Sequence, residues 1–505
     1  MVDWALIGEG ILLLANWKIP AVMFAGMLLG LIFGVIPGVS GALGIAVLLP
    51  ITFLMDPLTA LVLLTSVYTG GLTGGGITAV LINTPGTPGA VATTFDGYPM
   101  TRKGQQNEAL GLQVASSVVG GICGYVFLLF FINLMVKVAL QFGPSEMVFL
   151  TIFMLIVIGT MGEQSLSRSV MAGLFGLLVG TVGTSEVTGV FRGTFGFFEL
   201  ADGFPVICLI GMFAISELLE IITRDTIIDT DKKGQNDFKR LLKGVRMTFN
   251  SPKTLARSAL LGVGIGVLPG IGSTLASLMS YARAKNTAKP GQKFGEGEPE
   301  GIISAETANN ASEGGAMSIL LALGIPGSGA TAILAAAFML NGLIPGPRLM
   351  KTHGALIYGL ISANLLQMLL LIFLATVVAF YISKIIYIPT KVLVPSLMIT
   401  MAISGYAARN SFFDVFLFFI FGLIGWLMRR TDFSLVSFMI GLIMGRQLDL
   451  EIYRYVAMFG DDLTVFLKRP ITTGLLILIV LTLGLNIYRT IRARKHLKAV
   501  PLVKE

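Results

Sequence analysis

At 505 residues the chain is longer than one soluble core supports. It is 54% apolar and only 13% charged, where soluble domains carry about 25%. So few charges build neither a water-facing surface nor a disordered chain. With a mean hydropathy of +0.83, the composition predicts an all-α polytopic membrane protein. The net charge of +8 gathers in a few loops, as the positive-inside rule requires, which disfavours nucleic-acid binding.

In chain order, Met1–Asn16 carries Asp3 and Glu9 without an early basic region and makes a poor cleavable signal. Apolar arms follow at 20–36 and 39–55, 58–69 and 72–83, then the uncharged run Ala109–Val136. Shorter spans fit 144–162, 169–185 and 203–222. Arg224–Arg257 holds nine basic residues and is expected in the cytoplasm. Arms at 258–268 and 271–282, then 315–325 and 329–341, lead to the second long uncharged run, Gly354–Ser383. Spans at 389–408, 412–428, 433–445 and 470–487 precede a basic, cytoplasmic tail. The total is about 11 to 14 membrane segments, re-entrant and broken helices included.

The chain repeats itself. Gly30-x-x-x-Gly34-Val-Ile-Pro37-Gly38-Val matches Gly262-x-x-x-Gly266-Val-Leu-Pro269-Gly270-Ile at an offset of 232. Pro85-Gly86-Thr87 matches Pro326-Gly327-Ser328, and Asp96-Gly97-Tyr98-Pro99 resembles Asn341-Gly342-Leu343-Ile344-Pro345. The reading is an N-terminal segment (1–19), a first repeat (20–222), a basic linker (223–256), a second repeat (257–452) and an extra C-terminal span with its tail (453–505). The loop before the last span is acidic in the first half (Glu186, Glu199, Asp202) and basic in the second (Arg429-Arg430). The repeats are therefore expected to be inverted, with Arg469 a discordant residue on the expected outside.

Breaks in apolar segments need protein or a water-filled cavity to satisfy the freed backbone groups. Matching breaks in two halves point to a transport site. The Pro37–Gly41 and Pro269–Ser273 breaks are read as tips of re-entrant hairpins. Thr69–Gly76 and Asn309–Gly315 are read as runs that interrupt their helices. Helix N-termini after the breaks suit an anion. The candidate substrate residues are Ser40, Asn83, Thr84, Pro85, Gly86, Thr87 and Gly89 on one side, and Ser273, Pro326, Gly327, Ser328 and Thr331 on the other. Carbonyls at Gly38, Gly74, Gly75 and Gly270, with Asn310 and Glu313, are the candidates for cation coupling. Glu306 shares a helical face with Glu313; Glu306, Glu163, Glu217 and Asp414 are read as interfacial or structurally paired.

Other chemistries lack their residues. Cys123 and Cys208 lie in apolar runs, and His353 and His496 are the two histidines. These form neither a disulfide framework nor a cysteine- or histidine-rich metal centre. Pro-Gly-Thr-Pro-Gly lacks the Lys-Ser/Thr of a P-loop, and no HExxH occurs.

Three runs carry a family resemblance: Gly34-Val-Ile-Pro-Gly-Val-Ser-Gly, Tyr68-Thr-Gly-Gly-Leu-Thr-Gly-Gly-Gly-Ile-Thr-Ala-Val-Leu-Ile-Asn-Thr-Pro-Gly-Thr-Pro-Gly, and Thr94-Phe-Asp-Gly-Tyr-Pro-Met. With Gly266-Val-Leu-Pro-Gly-Ile-Gly and Ala322-Leu-Gly-Ile-Pro-Gly-Ser-Gly, they resemble the large membrane subunit of tripartite tricarboxylate transporters, the TctA family, over roughly 20–450. The resemblance implies a bacterial inner-membrane permease and not an enzyme. It implies a small (TctB-like) membrane subunit and a periplasmic (TctC-like) solute-binding protein as partners. It also implies uptake of a small carboxylate such as citrate, driven by Na⁺ or H⁺, with no other cofactor. An anion channel, a membrane enzyme and a purely structural subunit are the rival readings.

Overall fold

The computed structural model describes residues 3–36, 40–161, 165–185, 187–204, 207–221, 237–269, 272–381, 394–399, 402–403, 406 and 410–499. Gly38, Gly270, Glu163, residues 224–236 and most of the expected span 389–408 lie outside them. The described residues are predominantly α-helical, as predicted. The helices are α1 (Trp4–Leu13), α2 (Lys18–Val35), α3 (Gly41–Leu48), α4 (Pro57–Ile82), α5 (Val91–Arg102), α6 (Gln106–Ala139), α7 (Pro144–Met161), α8 (Leu166–Gly180) and α9 (Ile207–Ile221). They continue as α10 (Phe238–Thr248), α11 (Pro252–Gly266), α12 (Gly272–Asn286), α13 (Pro299–Leu323), α14 (Gly329–Leu340), α15 (Pro347–Thr352), α16 (Gly354–Tyr381), α17 (Phe412–Arg430), α18 (Leu435–Phe459) and α19 (Pro470–Ala499). Among the described residues, α2, α4, α6, α16 and α17 are long and apolar enough to cross a membrane, and several shorter apolar helices accompany them.

Two compact units form, each drawing on both sequence halves: Met1–Ala139 with Pro205–Leu427, and Leu140–Phe204 with Met428–Glu505. In the first, α4 and α13 are the central helices, and nearly every residue of both is buried. Asp56 caps α4 by accepting from Thr59 N at 3.0 Å, and Pro57 starts it. Helix α2 packs on α4 just as α11 packs on α13. Gly30 abuts Val67 O and Gly34 abuts Gly71 O; Gly262 and Gly266 meet Ala308 O and Ser312 O in the same way. Outside this layer α6 packs on α13 and α10, and α16 on α4 and α1.

Two expectations need correction. Helix α4 runs unbroken through Thr69–Gly76, and α13 runs unbroken through Asn309–Gly315. The glycines admit a neighbouring backbone: Gly70 faces Met27 O, Gly74 faces Leu31 O and Gly315 faces Val263 O. Each glycine costs about 1 kcal/mol of helix propensity, which close packing along both sides offsets. Helix α2 ends at Val35 and α3 starts at Gly41, with Phe33 of α2 lying against Gly44 of α3.

In the second unit α8 and α18 run side by side through Gly173, Gly176 and Gly180 against Phe438, Gly441 and Gly445. A short antiparallel pair, Gly183–Thr184 with Phe191–Arg192, follows α8. Arg192 pairs with Asp449 at 2.8 Å, and Arg446 donates to Asp202 O at 2.8 Å. Arg168, in the first turn of α8, pairs with Asp432 at 3.0 Å. The acidic loop and the Arg429-Arg430 pair therefore lie at opposite ends of α8. The discordant Arg469 has a local partner: it donates to Glu146 Oε2 at 2.8 Å and lies over the Phe459 ring.

Candidate functional site

The site is built where the chain leaves α4 and α13. Asn83 ends α4 at φ 56°, and Gly324 ends α13 at φ 75°. Both are left-handed helix terminators, and Asn83 is one of few non-glycine residues to adopt that conformation here. Its side chain is exposed, and Thr84 Oγ1 donates locally to Ile82 O at 3.3 Å. Pro85 and Pro326 then deny the helix a continuation. Gly86 returns into the core, its N–H donating to Gly75 O at 3.1 Å. Gly75 lies beneath Thr87, and Gly327 sits over Ala316 beside Gly266 O, the matching place in the second half.

The next helices start at this level. Ser328 caps α14 in a reciprocal box with Thr331 and shares a 3.3 Å hydrogen bond with Tyr68. Thr331 is buried and its hydroxyl serves that cap. A methyl on Gly272, the first residue of α12, would stand 3.5 Å from Ser328 Cβ. A methyl on Gly89 would strike Asn309 Oδ1 and Ser273 Oγ. Ser328, Gly272, Ser273, Gly89, Tyr68 and Asn309 are thus linked in one region. Asn309 is fully buried, and its Oδ1 has no hydrogen-bond partner among the described residues. Ser40 caps α3 and is tied to α9: its N–H donates to Glu217 Oε1 at 2.8 Å and its Oγ to Oε2 at 3.0 Å. Phe213, one turn earlier on α9, lies against Gly329. Glu217 is therefore joined to a candidate site residue rather than standing at an interface.

Beneath this level two carboxylates are fully buried on α13. Glu306 accepts from Thr93 Oγ1, from Ser117 Oγ at 2.9 Å, from Gln113 Nε2 at 3.3 Å and from Asn310 Nδ2 at 3.4 Å. Asn310 also accepts from Thr73 at 3.1 Å, bridging α13 to α4. Glu313 Oε1 accepts from Thr69 and, at 2.6 Å, from Tyr125 Oη; Oε2 has no hydrogen-bond partner among the described residues. The first half places Thr65 and Leu72 where the second has Glu306 and Glu313. Thr65 there forms a neutral network, donating to Asn364 Oδ1 at 2.8 Å and accepting from Gln367 at 3.3 Å. Helix α4 thus keeps the matching place in the core with no carboxylate at either position.

Gly74 faces Leu31 O, as described, and Gly75 gives its carbonyl to Gly86. Asp96 is a residue whose role the sequence does not show. Its Oδ1 accepts from the N–H groups of Gly295, Gly297 and Glu298, each at 2.8 Å, and its Oδ2 accepts from Tyr281 at 2.9 Å. It ties the 287–298 connection to α5. No group of three or more His, Cys, Asp or Glu side chains able to hold a metal occurs among the described residues.

Long apolar helices around two matching central helices, α4 without charge and α13 with two buried carboxylates, define a multi-pass membrane protein with a polar interior. The chain belongs to the tripartite tricarboxylate transporter TctA family, whose model matches residues 21–440. It is a membrane subunit of such a transporter. It is 32% identical over 480 residues, 94% of each chain, to an Agrobacterium vitis protein described as an uncharacterized 52.8 kDa protein in the TAR-I ttuC' 3' region. A second Agrobacterium vitis protein, described as uncharacterized in the TAR-II ttuC' 3' region, is 33% identical over 231 residues, 46% of this chain and 96% of that relative. No solved structure matches.

Proposed function

We propose that this subunit carries a small carboxylate such as citrate across the bacterial inner membrane, driven by a Na⁺ or H⁺ gradient. A small membrane subunit and a periplasmic solute-binding protein complete the system. The observation that carries this reading is the contact of the Gly89 loop and Ser328 with the start of α12, next to the stretch of α4 that holds the buried Glu313 through Thr69. Serine hydroxyls and helix N-termini at Ser40, Ser273 and Ser328 suit a substrate carboxylate. The loop around Gly86, Thr87 and Gly89 forms the facing wall. Glu313, with Asn310 one turn earlier on the same helix, suits a coupling cation, because an intramembrane carboxylate with an unpartnered oxygen is costly unless it has work to do. Asn83 and Thr331 act here through backbone geometry. The placement of the acidic loop and Arg429-Arg430 at opposite ends of α8 supports an inverted relation of the halves, with the basic tail in the cytoplasm.

The test is uptake of labelled citrate, malate and succinate into proteoliposomes holding all three components, with imposed Na⁺ or H⁺ gradients and no ATP. Saturable uptake that collapses with one gradient is expected. Flux that neither saturates nor responds to either gradient would instead make the protein a channel.

A further inference from the structure

We propose that α10 is a fixed docking surface for anionic phospholipid at the membrane surface. The helix presents three stripes at about 100° per residue. Leu241, Gly244 and Thr248 are buried against α6. A methyl on Gly244 would lie 2.1 Å from Glu108 O, and one on Gly111 would lie 2.1 Å from Leu241 O, so the two backbones interlock. Arg240 fastens the helix further, donating to Glu108 Oε1 at 2.8 Å and to Gly104 O at 2.7 Å.

The second stripe is apolar and outward-facing: Phe238 is 51% exposed, Leu242 45% and the C-capping Phe249 59%. The third, beside it, holds the exposed cations Lys239, Lys243 and Arg246. An apolar stripe flanked by cations on a helix that does not span is the pattern of an interfacial helix, its apolar edge among acyl chains and its cations among headgroups. The counterpart α1, packed on α16, also exposes apolar residues (Trp4, Ile11, Leu12) but carries no cation. This contrast selects negatively charged headgroups as the partner of α10, rather than any bilayer surface. Anionic phospholipid is the occupant that supplies both phosphate charge and acyl chains.

The experiment titrates purified full-length protein in neutral detergent with fluorescent phosphatidylglycerol. The test variant is Lys239→Gln/Lys243→Gln/Arg246→Gln, and the control is Arg283→Gln/Lys285→Gln/Lys289→Gln, which removes three exposed charges elsewhere. Each α10 cation is expected to contribute about fivefold in affinity, and their joint loss about 100-fold, with the control close to the wild type. All six positions are exposed, and the thermal unfolding midpoint of each variant checks that it folds. Equal affinity in the wild type and the α10 variant would overturn the proposal. If the α10 variant kept its lipid affinity but lost the small membrane subunit on purification, the surface would be a protein interface instead. Phosphatidylcholine competing as well as phosphatidylglycerol would also overturn it.

Discussion

Gly86 lies directly against the carbonyl oxygen of Gly34, so close that a methyl at position 86 would stand 1.8 Å from it. The segment after α4 is therefore wedged under the end of α2, and the same contact recurs between Gly327 and Gly266. Gly86→Ala forces two backbones apart, an overpacking cost of about 1–3 kcal/mol or more. The unfolding midpoint in detergent should fall, and uptake with it. Gly264→Ala, where nothing lies within 4 Å, should leave uptake unchanged and hold or slightly raise the midpoint, since alanine is the better helix former. Equal midpoints for the two variants would refute the wedge.

Asp96 gathers three backbone N–H groups of the 287–298 connection on one carboxylate oxygen. Asp96→Ala strips them of their acceptor, at a cost of about 1–3 kcal/mol after rehydration. The connection contains the exposed Lys293, followed by Phe294 and so open to trypsin, whereas Lys289 precedes Pro290, where trypsin does not cut. Trypsin should cut after Lys293 at least several-fold faster in the variant, while the Arg192 site in the 183–203 loop keeps its wild-type rate. An unchanged cleavage rate at Lys293 would show that the carboxylate is not what holds the segment.

Glu217 holds both donors of Ser40, the donors that a substrate carboxylate at α3 would need. The two variants should therefore move in opposite directions. Glu217→Gln weakens the internal competitor and should lower the half-saturating citrate concentration. Ser40→Ala removes a donor and should raise it. Charge-assisted hydrogen bonds of this kind make about a tenfold change reasonable in each case. A rise in both would mean that Glu217 only braces α3.

The Pro-Gly breaks and the two-half repeat were legible because proline and paired glycines leave a strong local mark, and the same mark appears twice. The Gly-rich runs of α4 were not, because a glycine that breaks a helix and one that admits a neighbouring helix look alike in one dimension. Asn83 had a readable signal: its counterpart is Gly324, and an Asn that aligns with Gly at a helix end marks a left-handed terminator before it marks a ligand. The partners of Asp96 and Glu217 lie far along the chain, and no local pattern announces them. The stripes of α10 are present in the order of its residues, but a basic run reads first as a topology signal and only second as a docking surface for lipid or a partner.

The proposed cation coupling rests most directly on Glu313, whose Oε2 has no hydrogen-bond partner among the described residues while its Oε1 is held by Thr69 and Tyr125. The deciding measurement compares Glu313→Gln with the wild type in proteoliposomes containing all three components. Gradient-driven accumulation of citrate is measured beside citrate–citrate exchange at equal concentrations. If Glu313 carries the coupling cation, the variant keeps exchange within a few-fold of the wild type and loses accumulation under either gradient. A variant that still concentrates citrate as the wild type does would contradict the account.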